Sequence, residues 1–314
     1  MLKSFIFPGQ GSQKIGMCKE LYDNFTCVKH LLESIDDTIS QKLSNLMFEG
    51  PVDELTKTEN AQPAIMANSM AVLEVLKKEF GLSLDKVSFC AGHSLGEYTA
   101  LAATECLDVS EVAKLLKIRG NSMKEAIPDG KGAMVAVIGA DYEKVKDIKN
   151  MIPDNLVCDI ANYNSKNQIV LSGDAKAIEL IINLAKENNF KAIKLQVSAP
   201  FHCSYMKKTA EELKDVFSQL AFKKPNTSIV CNYNALPFKN IEDLKSSLLK
   251  QTFSTVKWYE SIIYMFNNNV RYFVELGNGS TLSSLIKRME IRNELNTISL
   301  SSIEDIKNYA KVEI

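Results

Sequence analysis

Histidine is scarce in this chain: 314 residues contain three, His30, His93 and His202, alongside a single tryptophan. Any imidazole base must therefore be one of three. Net charge is scarce too, at −1 from 37 basic and 38 acidic residues. That balance argues against bulk nucleic-acid binding and leaves room only for local basic patches. The seven cysteines form no C-x-x-C pair, which excludes a disulfide framework or a zinc site read from spacing. An odd, unpatterned set fits a reducing compartment, so a cytoplasmic location is expected. No apolar run reaches the ~18 residues needed to span a bilayer. The longest candidate, "AIMANSMAVLEVL", is broken by Asn68, Ser69 and Glu74 and reads as a core helix. The apolar part of "MLKSFIFPGQGSQ" is too short for a signal peptide, and no targeting segment is expected. Internal repeats, low-complexity tracts and Pro/Gly/Ser-rich linkers are also missing. The length suits one large domain, or a large domain with a small one.

What is present is an alternation of short apolar strands and amphipathic helices, the pattern of an α/β class with a parallel sheet. "KSFIF" and "KVSFC" read as strands, the second followed by the helix "LGEYTALAATEC". Val109, Val112, Ala113 and Leu116 recur at i, i+3, i+4, i+7 and predict a helix from Val109 to about Glu125, with Asp108 and Glu111 at capping-box spacing. The middle of the chain reads differently. "GAMVAVIG", "DYEKVKDIKN", "LVCDIANY", "NQIVLSG", "DAKAIELIINLAKENN" and "KAIKLQV" run βαββαβ, the split unit of ferredoxin-like domains. This predicts a small domain over 128–198 inserted into a large one formed by 1–127 and 199–314. The large domain then resumes with a helix over 204–220, strands near "SIVCNY" and "YFVEL", and the helix "STLSSLIKRM".

Gly92-His93-Ser94-Leu95-Gly96 matches G-x-S-x-G between an expected strand and an expected helix. Glycines permit the tight turn, which lifts the serine hydroxyl clear and aims the next backbone N–H, that of Leu95, at a developing oxyanion. The alternative is a serine that only caps the helix. A serine nucleophile needs a base. His30 lies on an expected helix surface, and His93 adjoins the serine but points elsewhere on a turn. His202, in a loop after a strand, is the favoured base. Arg119 sits beside the apolar stripe of its helix. It reads either as a structural ion pair with Glu97 or Glu125, or as a fork for a substrate carboxylate. "FPGQGSQ" lacks the Lys-Ser/Thr of a phosphate loop and the spacing of a dinucleotide loop, yet its glycines expose backbone N–H groups, and that of Gln10 could be a second oxyanion donor. A hydrolase triad would draw its acid from Asp159 or Asp174, both in the expected insert. Cys90 and Cys203 lie near the motifs as rival nucleophiles, Cys90 reading better as a small buried hydrophobe.

"FPGQGSQ", "GHSLGEY", "KIRGNSM", "NYNSKNQIVLSG", "PFHCSYM" and "VELGNGS" occur together and in order, over nearly the whole chain. In this combination the sequence resembles the malonyl-CoA:acyl carrier protein transacylases. The resemblance implies a hydrolase-like α/β core with a parallel sheet, carrying an inserted ferredoxin-like (βαββαβ) small domain. It implies Ser94 as nucleophile, His202 as base, and Arg119 on the malonyl carboxylate. Gln10 and Leu95 would supply the oxyanion amides, and the backbone carbonyl of Gln251 would orient the histidine. Asn164 matches an asparagine near the site, or is an ordinary turn asparagine. Expected partners are acyl carrier protein and a CoA thioester, with no cofactor, no metal, no nucleic acid, no membrane and a monomeric state. Because carrier proteins are typically acidic, a local basic surface is expected, with Lys207, Lys208, Lys287 and Arg288 as candidates. Phe201 is expected to narrow the pocket. The chain departs from the family's "ELGPGKVL", with Asn278 for proline and Ser280 for lysine.

Overall fold

In the computed structural model, which describes residues 1–197 and 199–314, the strands are β1 (Leu2–Phe7), β2 (Phe89–Gly92), β3 (Gly132–Ile138), β4 (Cys158–Ser165), β5 (Gln168–Asp174), β6 (Lys191–Lys194), β7 (Ser228–Val230), β8 (Val270–Leu276) and β9 (Asn296–Leu300). The chain divides into two compact units. One comprises Met1–Gly120, Leu220–Val230 and Met265–Ile314; the other comprises Asn121–Gln219 and Cys231–Tyr264.

The first unit holds a five-stranded sheet in the order β7-β2-β1-β8-β9, with every pairing parallel. β1 lies at its centre and is buried from Lys3 to Phe7. That suits a near-continuous apolar run, because parallel strands are covered on both faces. Phe5 pairs with Cys90 on one side and Val274 on the other, and Phe7 pairs with Gly92. The helix Leu95–Ala103 packs on β1 and β2. "AIMANSMAVLEVL" lies within the helix Thr58–Phe80, buried almost continuously from Thr58 to Leu76. No helix among the described residues is long and apolar enough to cross a membrane.

The second unit holds an antiparallel four-stranded sheet, β4-β5-β3-β6. With the helices Tyr142–Asn150 and Ala175–Glu187 between its strands, the chain order is βαββαβ, and the sheet order is that of a ferredoxin-like fold. Side chains alternate across β3. Val135 and Val137 join Val145, Ile148, Ile178 and Ile181 on one face. Met134 and Ala136 join Met123, Phe201 and Met206 on the other, with Phe253 packed against them. This second layer draws on residues outside 128–198, so the compact unit is wider than the expected insert.

Details of the elements differ from the sequence expectation. Residues 204–220 form a single 3-10 turn, Ser204–Met206, before the helix Lys207–Ser218. β6 stops at Lys194, and β9 is a strand that the sequence pattern does not announce. At the start of the Val109–Glu125 helix the Asp108 N–H donates to Glu111 Oε2 at 3.2 Å, one arm of the anticipated capping box.

Of the glycines in the first unit, Gly92 and Gly96 have the closest neighbours. A Cβ on Gly92 would lie 2.0 Å from the Gly96 carbonyl. Gly92→Ala should therefore destabilise the fold by about 3 kcal/mol through overpacking. Gly130→Ala, at φ +76° in open space, should cost about 1 kcal/mol from backbone strain alone. Denaturant midpoints at constant m-value check both.

Candidate active site

β2 ends at Gly92, and the Leu95–Ala103 helix begins three residues later. Between them Ser94 takes φ 54°, ψ −106°, a conformation that L-residues rarely adopt. The turn is held by Gly96 N–H to His93 O at 2.9 Å and His93 N–H to Phe7 O at 3.0 Å. A Cβ on Gly96 would sit 2.2 Å from Phe7 O, and one on Gly9 would sit 2.8 Å from His93 O. The loop after β1, which carries Gln10, is thus pressed against the serine turn and the Leu95 end of the helix.

Ser94 occupies the N-cap position yet makes no side-chain cap bond. Its hydroxyl instead accepts a hydrogen bond from Arg119 Nη2 at 3.1 Å. This removes the reading of Ser94 as a simple helix cap. Arg119 is 1% exposed. Its Nη1 donates to Gln62 Oε1 at 2.7 Å, and its guanidinium lies 5.0 Å from the centroid of the Tyr98 ring. Burial pushes the guanidinium below its ordinary pKa, while Tyr98 and Glu97 push the other way. An arginine stays cationic regardless. The result is a buried cation whose two terminal nitrogens reach an amide oxygen and the serine oxygen.

Gln62 is a site residue that the sequence pattern does not mark. Its signal is slight: an amide in an apolar stretch, immediately before Pro63, at 2% exposure.

The second unit contains His202, also at positive φ, 59°, and 3% exposed. Its Nδ1 lies 2.8 Å from the backbone carbonyl oxygen of Gln251. A carbonyl only accepts, so Nδ1 carries the proton in this contact. Gln251 stands in the last turn of the helix Ile241–Thr252, where carbonyls lack intrahelical partners and carry the negative end of the helix dipole. Asp159 accepts from Ser204 N–H at 2.9 Å. Asp174 accepts from the Tyr205 hydroxyl at 2.7 Å and from Val157 N–H at 2.8 Å. A carbonyl, and neither candidate acid, holds the position that a triad carboxylate would take.

Asn164 is buried on β4, at a register irregularity between Tyr163 and Ser165. A bulge of this kind redirects a side chain, so this is no ordinary turn asparagine. Phe201 belongs to an apolar cluster with Met134 and Met206. In sum, the structure brings Ser94, Arg119 and Gln62 together in the first unit, with Gln10 and Leu95 on the flanking loop and helix. It brings His202 and the Gln251 carbonyl together in the second, which also holds Asn164. Among the described residues no cluster of three or more His, Cys, Asp or Glu is placed to hold a metal ion.

The family model for the acyl transferase domain matches residues 4–297. The chain belongs to this family. The acyl transferase is 44% identical over 307 residues to the malonyl CoA-acyl carrier protein transacylase of Bacillus subtilis, covering 97% of this chain and 95% of that protein. It superposes with a TM-score of 0.96 on an acyl-carrier-protein-S-malonyltransferase from Bartonella henselae, at 40% identity over 99% of each chain. A further solved structure holds a type II PKS acyl-carrier protein in complex with its malonyl-transacylase. That transacylase matches at TM-score 0.95 and 32% identity over 100% of both chains.

The cysteines of this acyl transferase are free, and all but Cys27 are buried. Burial pushes the Cys90 thiol up to about 12 and, as the largest of several influences, Cys203 to about 11. Neither supplies a thiolate near neutral pH. A thiol reagent at pH 8 should modify Cys27 first, and the remaining six only on unfolding. Rapid modification of Cys90 or Cys203 in the native chain would reopen the choice of nucleophile.

Proposed function

We propose that the chain transfers the malonyl group of malonyl-CoA to the phosphopantetheine thiol of acyl carrier protein, supplying malonyl carrier for fatty acid biosynthesis. The observation that carries this reading is the buried Arg119 fork on the hydroxyl of a strained serine. It offers a charge for a free carboxylate beside an oxygen able to attack a thioester.

Ser94 Oγ attacks the thioester carbonyl and passes its proton to His202 Nε2. The tetrahedral oxyanion is stabilised by the N–H groups of Gln10 and Leu95. The intermediate collapses with cleavage of the C–S bond, and the imidazolium returns the proton to the departing CoA sulfur, leaving a malonyl-serine. The carrier's thiol then gives its proton to His202 and attacks the ester. Collapse of the second intermediate restores the Ser94 hydroxyl, the order of steps in a ping-pong reaction.

The carbonyl of Gln251 holds the Nδ1 proton throughout, so Nε2 is the atom that shuttles. Asn164 is read as a polar contact near the acyl group. Substrates alone supply this chemistry, with no cofactor. Lys207, Lys208, Lys287 and Arg288 are all exposed, which supports their use as the basic surface for the carrier. The free cysteines support a cytoplasmic location, and the chain is read as a monomer.

Intact mass after exposure to malonyl-CoA alone should show one malonyl adduct, on the peptide containing Ser94, and none in Ser94→Ala. The ester should persist until a thiol acceptor is added; steady release of malonate without acceptor would make the chain a hydrolase. His202→Ala should slow both half-reactions by ~10²–10⁴-fold, the usual worth of a positioned general base.

Arg119 sets the choice of acyl group. Malonyl and acetyl differ by one carboxylate, and leaving one member of a buried charge pair alone costs about 3–5 kcal/mol. That is roughly a hundredfold to several thousandfold in discrimination. Arg119→Ala should cut malonyl transfer by such a factor and leave acetyl transfer unchanged or faster. Arg119→Lys should rescue poorly, since an ammonium lacks the planar fork. Equal losses for both acyl groups, measured as kcat/KM, would make Arg119 structural.

A further inference from the structure

The loop after β8 carries asparagine where the family pattern has proline, and the structure gives that asparagine a contact. Asn278 Nδ2 donates to the backbone carbonyl of Ser12 at 2.7 Å. Ser12 Oγ in turn donates to Gly9 O at 2.9 Å, closing the turn that contains Gln10. One residue earlier, Gly277 lies so close to the same loop that a Cβ there would meet Pro8 Cγ at 3.1 Å and Ser69 Oγ at 2.6 Å. Gly277 and Asn278 therefore bracket Gln10, two residues away on either side, at Pro8 and Ser12.

The bracket is itself anchored. Gly277 N–H donates to Leu300 O at 3.1 Å. The buried Glu275 carboxylate accepts the N–H groups of Leu282 and Ser283 at 3.0 and 2.8 Å. Both ends of the 277–280 loop are thus tied down. On the opposite side the Gln10 loop meets the serine turn, through Gly9 against His93 and Phe7 against Gly96.

We propose that Asn278 is a positioning residue for acyl transfer: its bond to Ser12 sets the Gln10 N–H against the oxyanion formed at Ser94. This rests on the reading of Gln10 as an oxyanion donor. A proline at 278 has no side-chain donor for Ser12 O, so in this chain the amide does what a stiff ring cannot. An aspartate of the same shape would turn an oxygen toward the Ser12 carbonyl and repel it.

The test compares Asn278→Ala, Asn278→Asp and Asn278→Pro with the unaltered chain, in rapid-quench acylation by malonyl-CoA and in labelling by a fluorophosphonate. The tetrahedral phosphorus adduct of that reagent presents an oxygen to the same amides. Losing an oxyanion donor outright costs ~10²–10³-fold in rate, and displacing one by a fraction of an ångström should cost ~10-fold. Acylation and phosphonylation should slow together by that factor in the alanine and proline variants, and by more in the aspartate variant. KM for malonyl-CoA should stay within about twofold and the pH dependence should not move, as both report groups other than the oxyanion hole.

Unchanged rates in all three variants would overturn the proposal. So would a rise in KM at constant kcat, or loss of the fold in all three, which would make Asn278 structural. Absence of any Ser94 adduct in the unaltered chain would overturn the acyl-transfer reading itself, and is scored before the variants are compared.

Discussion

The geometry around Ser94 hangs on one close approach of two backbones, where the Phe7 carbonyl oxygen takes the space a side chain on Gly96 would fill. The same oxygen accepts the His93 N–H. Phe7 is paired in register with Gly92 at the end of the parallel sheet, so the sheet, the loop after β1 and the serine turn are packed directly against one another. A nucleophile and its oxyanion donors must be placed to a few tenths of an ångström. In the proposed reaction the Ser94 oxygen and the N–H groups of Gln10 and Leu95 would take their places from adjacent parallel strand ends, through main chain alone.

A cation at 1% exposure needs a reason, because desolvating a guanidinium costs several kcal/mol unless a partner offsets it. Gln62 meets part of the need with an oxygen that carries no charge, and Tyr98 offers its ring face. Glu97, also buried, acts on the guanidinium in the direction that favours its cationic form. In a setting of low polarity the field of the arginine is strong, and the carboxylate of the proposed acyl group would lie within it.

The parts of the molecule that were legible in the sequence are those fixed by local chain geometry. The Gly92–Gly96 turn could be read because only glycine tolerates its contacts. The βαββαβ order could be read because its strands are short apolar runs between polar turns and its helices keep a steady apolar period. β9 escaped notice because "NTISL" is short and half-exposed up to Leu300, with no apolar run to mark it. Gln62 escaped because its partner lies 57 residues away, and the extent of the second unit escaped because Met123, Met206 and Phe253 complete a layer from scattered positions. The histidine's acceptor belongs to a further class. It is main chain, so no residue type at position 251 announces it, and only the resemblance implies it.

That main-chain acceptor has a genetic consequence. Every amino acid carries the same carbonyl, so no single-codon change at 251 deletes the group that orients His202, although a change there can disturb the helix end that presents it. A catalytic carboxylate, by contrast, is one mutation away from loss. It also gives up its charge in acid, whereas an amide oxygen has no proton to take up over the range in which the fold survives. The orientation of the His202 ring is thus written into the path of the chain rather than into its alphabet.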